Sequence, residues 1–308
     1  MKILVCDRLE EKVLDKFEEI GEITNISESK TKNEDLISNI VDTDIVVIRS
    51  GTKINKDILE NANNLKIIAR CGVGVDNVDV EEATNKKIYV TNSPNANIIS
   101  VAELTIGLII SAARKIHVSN NSLKDKKWDR NKFLGTELYQ KQLGLVGFGK
   151  AAKEVAKRLS AFGMNIVFYD PYVDSSTIKA KKVELDELLK TSDVISIHVI
   201  KTEETTNLIS NEKLDLIKKG GILVNTSRGG IIDEESLFQK ANEDFIFAGL
   251  DVFSQEPPDI NDTFSNSNIV TTPHLGASTY EAQLKAGLET VQNVSDILNG
   301  ELSSVLNI

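Results

Sequence analysis

The feature that most narrows the fold of this chain is an alternation: short β-branched runs recur between amphipathic stretches from one end to the other. Such a pattern belongs to parallel sheets flanked by helices, because strands covered on both faces read as continuous apolar runs. The runs fall into two series. Residues 3–6, 45–48 and 67–69 form the first, and 143–146, 166–169, 194–198, 222–225, 248–252 and 269–272 form the second. Between them lie a helical run over 98–119 and a polar, lysine-rich stretch to 142. A last helix over about 279–299 ends at Gly300, a stop signal. Two such series in 308 residues predict two α/β domains, each a doubly wound parallel sheet.

Charge and cysteine content then exclude several classes of function. Lys and Arg total 36 against 46 Asp and Glu, a net charge of −10, and no basic block occurs. Nothing here attracts a phosphate backbone, so no nucleic-acid partner is expected. The most apolar stretch, 101–113, is interrupted by Glu103 and is too short to span a bilayer, so no membrane partner is expected either. The amino terminus has no signal-peptide regions. The two cysteines, Cys6 and Cys71, lack metal-ligand spacing, so no metal and a cytoplasmic setting are expected.

The second series opens on a cofactor signal. The run 143–146 leads directly into Gly147-Phe148-Gly149-Lys150-Ala151-Ala152 and a helix. Gly147 permits the tight turn, Gly149 lets the backbone approach a pyrophosphate, and Ala152 is small enough for helix–strand packing. Amides at the helix start then face the phosphates. The next strand ends in Asp170, 18 residues beyond Ala152. A carboxylate there accepts from ribose hydroxyls and repels a 2′-phosphate, which favours NAD over NADP. The competing role for Asp170 is a cap on the turn before Pro171.

Three later strand ends carry unusual polar groups: Thr226-Ser227-Arg228-Gly229-Gly230, then Asp251 followed by Glu256-Pro257, then Pro273-His274-Leu275-Gly276. Ligands of doubly wound sheets sit beyond the carboxyl ends of the strands, so all three point toward one crevice. Oxidising an alcohol requires a base, and histidine titrates near neutrality. A neighbouring carboxylate orients it, and an arginine grips a substrate carboxylate or polarises a carbonyl oxygen. Each group alone has an ordinary explanation as a packed histidine, a loop or a turn. Their coincidence at three strand ends favours His274 as acid/base, Glu256 as its partner and Arg228 as the substrate anchor.

These stretches resemble the D-isomer-specific 2-hydroxyacid dehydrogenases, most closely the members acting on D-3-phosphoglycerate. The likeness extends to Arg70-Cys71-Gly72-Val73-Gly74-Val75-Asp76-Asn77, Asn92-Ser93-Pro94-Asn95-Ala96-Asn97, and Trp128-Asp129-Arg130 followed by Phe133-Leu134-Gly135-Thr136-Glu137-Leu138. The resemblance covers nearly the whole chain. It implies a Rossmann-type NAD domain, 96–282, inserted into a discontinuous flavodoxin-like substrate domain, 1–95 and 283–308. It implies cofactor contacts at Gly147, Gly149, Lys150, Ala151, Asp170, Val199, Thr205, Thr226, Ser227, Arg228, Asp251, His274 and Gly276. It implies a homodimer with an exchanged arm over 116–142, and closure of the domains over the substrate. The implied reaction is the first step of phosphorylated serine biosynthesis, 3-phosphoglycerate to 3-phosphohydroxypyruvate.

For that small-molecule substrate the resemblance points to Val73 and Gly74 as carboxylate-binding amides, to Asn97, to Arg130 reaching the partner subunit, and to Arg228. Arg49 and Arg70 end strands of the first series and can converge on a phosphate; their ordinary reading is surface arginine. Ile200 departs from the family, which carries proline there. His198 and His117 read as structural, and Cys71 as a packed small residue. With no room after Ile308 for the regulatory domain of longer relatives, feedback through one is not expected. Two alternatives stay open: reduction of glyoxylate, hydroxypyruvate or another unphosphorylated 2-keto acid, and a dinucleotide-sensing, corepressor-like binding protein.

Overall fold

The computed structural model describes residues 1–27, 31–261, 264 and 266–308. The chain divides into two compact units, Met1–Asn97 with Ala277–Ile308, and Ile98–Gly276. The boundaries fall at 97/98 and 276/277, against the 95/96 and 282/283 expected from the sequence.

The first unit contains β1 (Lys2–Val5), α1 (Glu11–Glu18), β2 (Glu22–Asn25), α2 (Asn33–Ile40), β3 (Ile45–Ile48), α3 (Lys56–Glu60), β4 (Ile67–Arg70), α4 (Val80–Asn85) and β5 (Tyr89–Thr91). Its five strands are parallel in the order β2-β1-β3-β4-β5, which is flavodoxin-like. The strand order reverses between β1 and β3. Because successive residues of a strand face opposite ways, Ile3 and Val5 enter one core with Ile45, Val47 and Ile67. Leu4 and Cys6 enter the other with Val46, Ile48 and Ile68. Both faces are buried, which explains unbroken apolar strands. The terminal helix, Tyr280–Leu298, belongs to this unit and packs Val294 and Ile297 beside Val13 and Phe17 of α1. The approach is close: a Cβ on Gly287 would lie 2.4 Å from Val13 Cγ2.

The second unit begins with α5 (Ile98–Arg114) and α6 (Ile116–Lys124). One helix was expected over 98–119; Lys115 breaks it by adopting a left-handed conformation, φ 52°. There follow β6 (Gln142–Val146), α7 (Lys150–Ser160), β7 (Asn165–Tyr169), β8 (Lys181–Lys182), α8 (Leu185–Thr191) and β9 (Val194–Ile197). Then come α9 (Asn211–Leu214), β10 (Gly221–Asn225), α10 (Glu234–Asn242), β11 (Ile246–Leu250) and β12 (Ile269–Thr271), which leaves the terminal helix as α11. The parallel sheet runs β12-β11-β10-β9-β6-β7-β8, a Rossmann order extended by one strand. Its order reverses between β6 and β9, so a ligand crevice is expected beyond those two carboxyl ends. Among the described residues, no helix is long and apolar enough to cross a membrane.

Candidate active site

The glycine loop lies at that reversal. Gly147 follows β6 with φ 85°, and a Cβ on it would lie 2.7 Å from the His198 carbonyl oxygen at the end of β9. Only glycine meets both demands. Gly149 precedes α7, and a Cβ there would meet nothing within 4 Å. Gly149 and Lys150 are exposed at the positive end of an eleven-residue helix. These residues fit a dinucleotide pyrophosphate.

Asp170 caps the turn at Pro171, the competing role read from the sequence, and also reaches back to the glycine loop. Its Oδ1 accepts from the Tyr172 and Val173 amides at 2.8 and 3.1 Å, and its Oδ2 accepts from the Phe148 amide at 2.7 Å. The carboxylate therefore fastens the glycine loop to the next turn. With about four lone-pair positions on a carboxylate, three amides leave capacity for a ribose hydroxyl.

Two strand-end residues meet as expected. His274 Nδ1 and Glu256 Oε2 are 2.6 Å apart, while Glu256 Oε1 accepts from the Phe253 amide at 3.1 Å. An ionised glutamate only accepts, so Nδ1 carries the proton and Nε2 is left for a reacting oxygen. His274 is exposed and sits at φ 54°. A side chain in this left-handed region costs about 1–3 kcal/mol and persists only where neighbours over-determine it. Asp251 is the neighbour. Its carbonyl accepts from the His274 amide at 2.9 Å. Its carboxylate accepts from Thr272 Oγ1, the Leu275 amide and the Gly276 amide at 2.6, 2.7 and 2.8 Å. Burial pushes this carboxyl up, and the three donors pull it back. Ser100 Oγ donates to the Gly276 carbonyl at 2.7 Å. The sequence offered Asp251 as a cofactor contact; in the fold its side chain is buried and spans the His274 turn.

Arg228 rides on a loop set by Asn225. The buried Asn225 Oδ1 accepts from Ser227 N and Oγ at 3.0 and 2.8 Å, and its Nδ2 donates to the Arg228 carbonyl at 2.7 Å. Thr226 Oγ1 bonds Thr105 Oγ1 at 2.7 Å, and Arg228 Nη1 donates to the Ser227 carbonyl at 2.8 Å. Val199 and Thr205 follow β9, where Thr205 Oγ1 donates to the Ile200 carbonyl at 2.6 Å. Burial holds the His198 imidazole down at about 4, and its Nε2 lies 2.9 Å from Ser196 Oγ. His198 is a neutral structural residue near pH 7.

The remaining substrate candidates, Arg130 apart, lie in the first unit. Arg49 follows β3 and Arg70 ends β4, paired with Ile48 in register. The Arg49 loop is pinned by Asp7, which the sequence did not single out, and by Asn77. Asp7 Oδ2 accepts from the Arg49 and Thr52 amides at 2.6 and 3.2 Å, and Asn77 Nδ2 donates to the carbonyls of both. Asp7 immediately follows β1, next to β3 at the order reversal, so the strand pattern could have found it. Arg70 Nη1 donates to the Cys71 carbonyl at 3.1 Å and fills the place of a side chain on Gly72. The Val73 carbonyl accepts from Asn92 Nδ2 at 2.5 Å, and Val73 and Gly74 are partly exposed. Asn97 is half-buried just before α5, and Arg130 is exposed in a short 3-10 turn, Arg130–Phe133. Burial pushes the Cys71 thiol up to about 11, so it is not a reactive thiolate near neutrality.

Comparison with known proteins places this arrangement. Residues 106–276 match the family model described as D-isomer specific 2-hydroxyacid dehydrogenase, NAD binding domain. The chain is 47% identical over 314 positions to a D-3-phosphoglycerate dehydrogenase of Methanocaldococcus jannaschii, covering all of this chain and 60% of the relative. It is 44% identical to a hydroxypyruvate reductase of Thermotoga maritima, covering 95% of this chain and 97% of that one. A solved 3-phosphoglycerate dehydrogenase of Entamoeba histolytica with bound NAD+ superposes with a TM-score of 0.84 at 32% identity, covering 100% of this chain and 99% of that one. The chain spans less than two thirds of the archaeal phosphoglycerate dehydrogenases it matches, 60% of one and 58% of another from Archaeoglobus fulgidus.

Proposed function

The chain belongs to the family of D-isomer-specific 2-hydroxyacid dehydrogenases, and on that premise we propose that it oxidises D-3-phosphoglycerate to 3-phosphohydroxypyruvate with NAD. The observation that carries the reading is the 2.6 Å contact between His274 Nδ1 and Glu256 Oε2, which leaves Nε2 to work on a reacting oxygen. NAD, when bound, supplies the hydride acceptor. Gly147, Gly149, Lys150 and Ala151 hold its phosphates through backbone amides, and Asp170 holds its ribose. Val199, Thr205, Thr226, Ser227, Asp251 and Gly276 shape the loops around it. His274 takes the C2 hydroxyl proton on Nε2, Glu256 stabilises the imidazolium so formed, and Arg228 anchors the carboxylate or the reacting oxygen. Val73 and Gly74 present amides to the carboxylate, assisted by Asn97.

Arg49 and Arg70 are proposed to hold the phosphate. Their support is the register of β3 and β4, which sets both guanidinium-bearing residues at adjacent strand ends. The name of the archaeal relative, which aligns with this whole chain, supports the same substrate. A second reading, reduction of hydroxypyruvate, is favoured by the Thermotoga relative, matched over 97% of its length. The two readings separate on kcat/KM. Phosphohydroxypyruvate is expected to exceed hydroxypyruvate, and Arg49→Ala is expected to lower the phosphorylated substrate's value by about 10-fold to 100-fold, the size of a lost charge-assisted bond. Equal losses on both substrates would remove the phosphate site.

We further propose a homodimer formed through the 116–142 stretch. Trp128 and Leu134 there are 76% and 86% exposed, a costly display of apolar surface for a lone chain, and Arg130 would act from it on the partner's substrate. A cytoplasmic setting fits two buried, unpaired cysteines.

A further inference from the structure

The acid/base pair and the substrate arginine sit on separate loops, and the sheet cannot hold those loops together. The strands β10 and β11 stay in register only to Asn225 opposite Leu250, with one further bond from the Asp251 amide to the Asn225 carbonyl at 3.0 Å. Beyond that, the Arg228 loop and the Glu256 loop leave the ladder, and strand pairing no longer fixes their spacing.

One carboxylate bridges the gap. Glu234 is the first residue of α10 and is half-buried. Its Oε1 accepts from the Ser254 amide at 2.6 Å and from the Gly230 amide at 3.3 Å, and its Oε2 accepts from Ser254 Oγ at 2.9 Å. Gly230 is two residues past Arg228, and Ser254 is two residues before Glu256. Beside this bridge the backbones touch: a Cβ on Gly229 would lie 1.8 Å from the Phe253 carbonyl oxygen. Glu234 is not needed to cap its own helix, because Asp233 already accepts from the Ser236 amide at 3.1 Å.

We propose that Glu234 is a positioning residue for the dehydrogenase reaction: by tying Gly230 to Ser254, it fixes Arg228 relative to the Glu256–His274 pair. This rests on the function proposed above. Glu234 acts through the two loops, by its bonds to Gly230 and Ser254. The bond from Gly230 is part-buried and the two from Ser254 are exposed; bonds accepted by a carboxylate are charge-assisted and hold geometry more firmly than neutral ones. A displacement of about 1 Å at reacting groups costs on the order of 100-fold in rate.

The test is a set of variants assayed with NADH and 2-keto acids, together with NADH binding and thermal melting. Glu234→Ala is expected to lower kcat by about 10-fold to 100-fold while the Kd for NADH stays unchanged. Glu234→Gln is isosteric and retains an acceptor for Ser254, so it is expected to restore most of the rate. Glu234→Asp keeps the charge at the helix start but withdraws the carboxylate by one methylene, so it is expected to lose rate without losing Tm; it also decides the matter if the alanine variant does not fold. In a Glu256→Gln background the Glu234→Ala loss is expected to shrink, since residues acting through one another are not additive. Wild-type kcat in both Glu234→Ala and Glu234→Asp, in a chain that turns over, would overturn this inference and leave the function standing. So would a full, additive loss in the Glu256→Gln background. A wild-type chain inert toward every 2-keto acid would overturn the function, and the inference with it.

Discussion

Replacing His274 with alanine is expected to lower kcat by about 100-fold to 10,000-fold, the contribution of a general acid–base group, with NADH binding retained. The separation is expected because the cofactor loop and the imidazole are held by different groups. Gly147 and Gly149 are fastened by Asp170 and α7, whereas the His274 turn hangs on Asp251. Removing the ring leaves the bonds from the Asp251 carboxylate to the Leu275 and Gly276 amides in place. Single-turnover kinetics beside a fluorescence titration of NADH measure both quantities. Turnover at the wild-type rate would mean that another group moves the proton.

Replacing Gly229 with alanine is expected to produce the largest structural effect of any single methyl. The added Cβ would lie 1.8 Å from the Phe253 carbonyl oxygen, 1.9 Å from its carbon and 2.4 Å from the Ser254 amide nitrogen. All three atoms are backbone, so no rotamer change relieves the clash and two loops must separate. Overpacking costs about 1–3 kcal/mol where side chains can yield, and backbone contact belongs at the upper end. Because Arg228 precedes the glycine and Glu256 follows Phe253 by three residues, the separation also displaces both functional groups, with a loss in kcat/KM of about 100-fold. Urea unfolding and steady-state kinetics on one preparation measure the two consequences. A variant of native stability and rate would show that the loops do not meet there. A Cβ on Gly149, by contrast, meets nothing within 4 Å, so the same substitution there leaves stability intact and acts only against the cofactor.

Much of this was legible in the chain itself. Strands buried on both faces carry unbroken apolar runs, and those of β3, β4, β6, β9 and β10 were found within a residue or two. The glycine loop and Asp170 follow from the demands of a pyrophosphate on backbone, and His274 and Glu256 from their strand ends. What escaped has physical reasons. The edge strand β2 reads Glu-Ile-Thr-Asn and is largely exposed, and β5 has three residues; neither makes a hydrophobic run. The break at Lys115 carries no glycine, proline or asparagine, so tertiary packing overrode local preference there. Glu234 acts through the backbone amide of Ser254, twenty residues away in sequence. Nothing in a linear pattern distinguishes such a side chain from an ordinary polar residue.

The most direct measurement is the near-ultraviolet absorbance of NADH mixed with the purified chain and a panel of 2-keto acids, phosphohydroxypyruvate among them. Loss of absorbance in one-to-one proportion with a D-configured 2-hydroxy acid is predicted, fastest with the phosphorylated substrate. A chain that binds NADH tightly yet leaves its absorbance unchanged with every member of the panel would contradict the assignment of His274 and Glu256 to proton transfer.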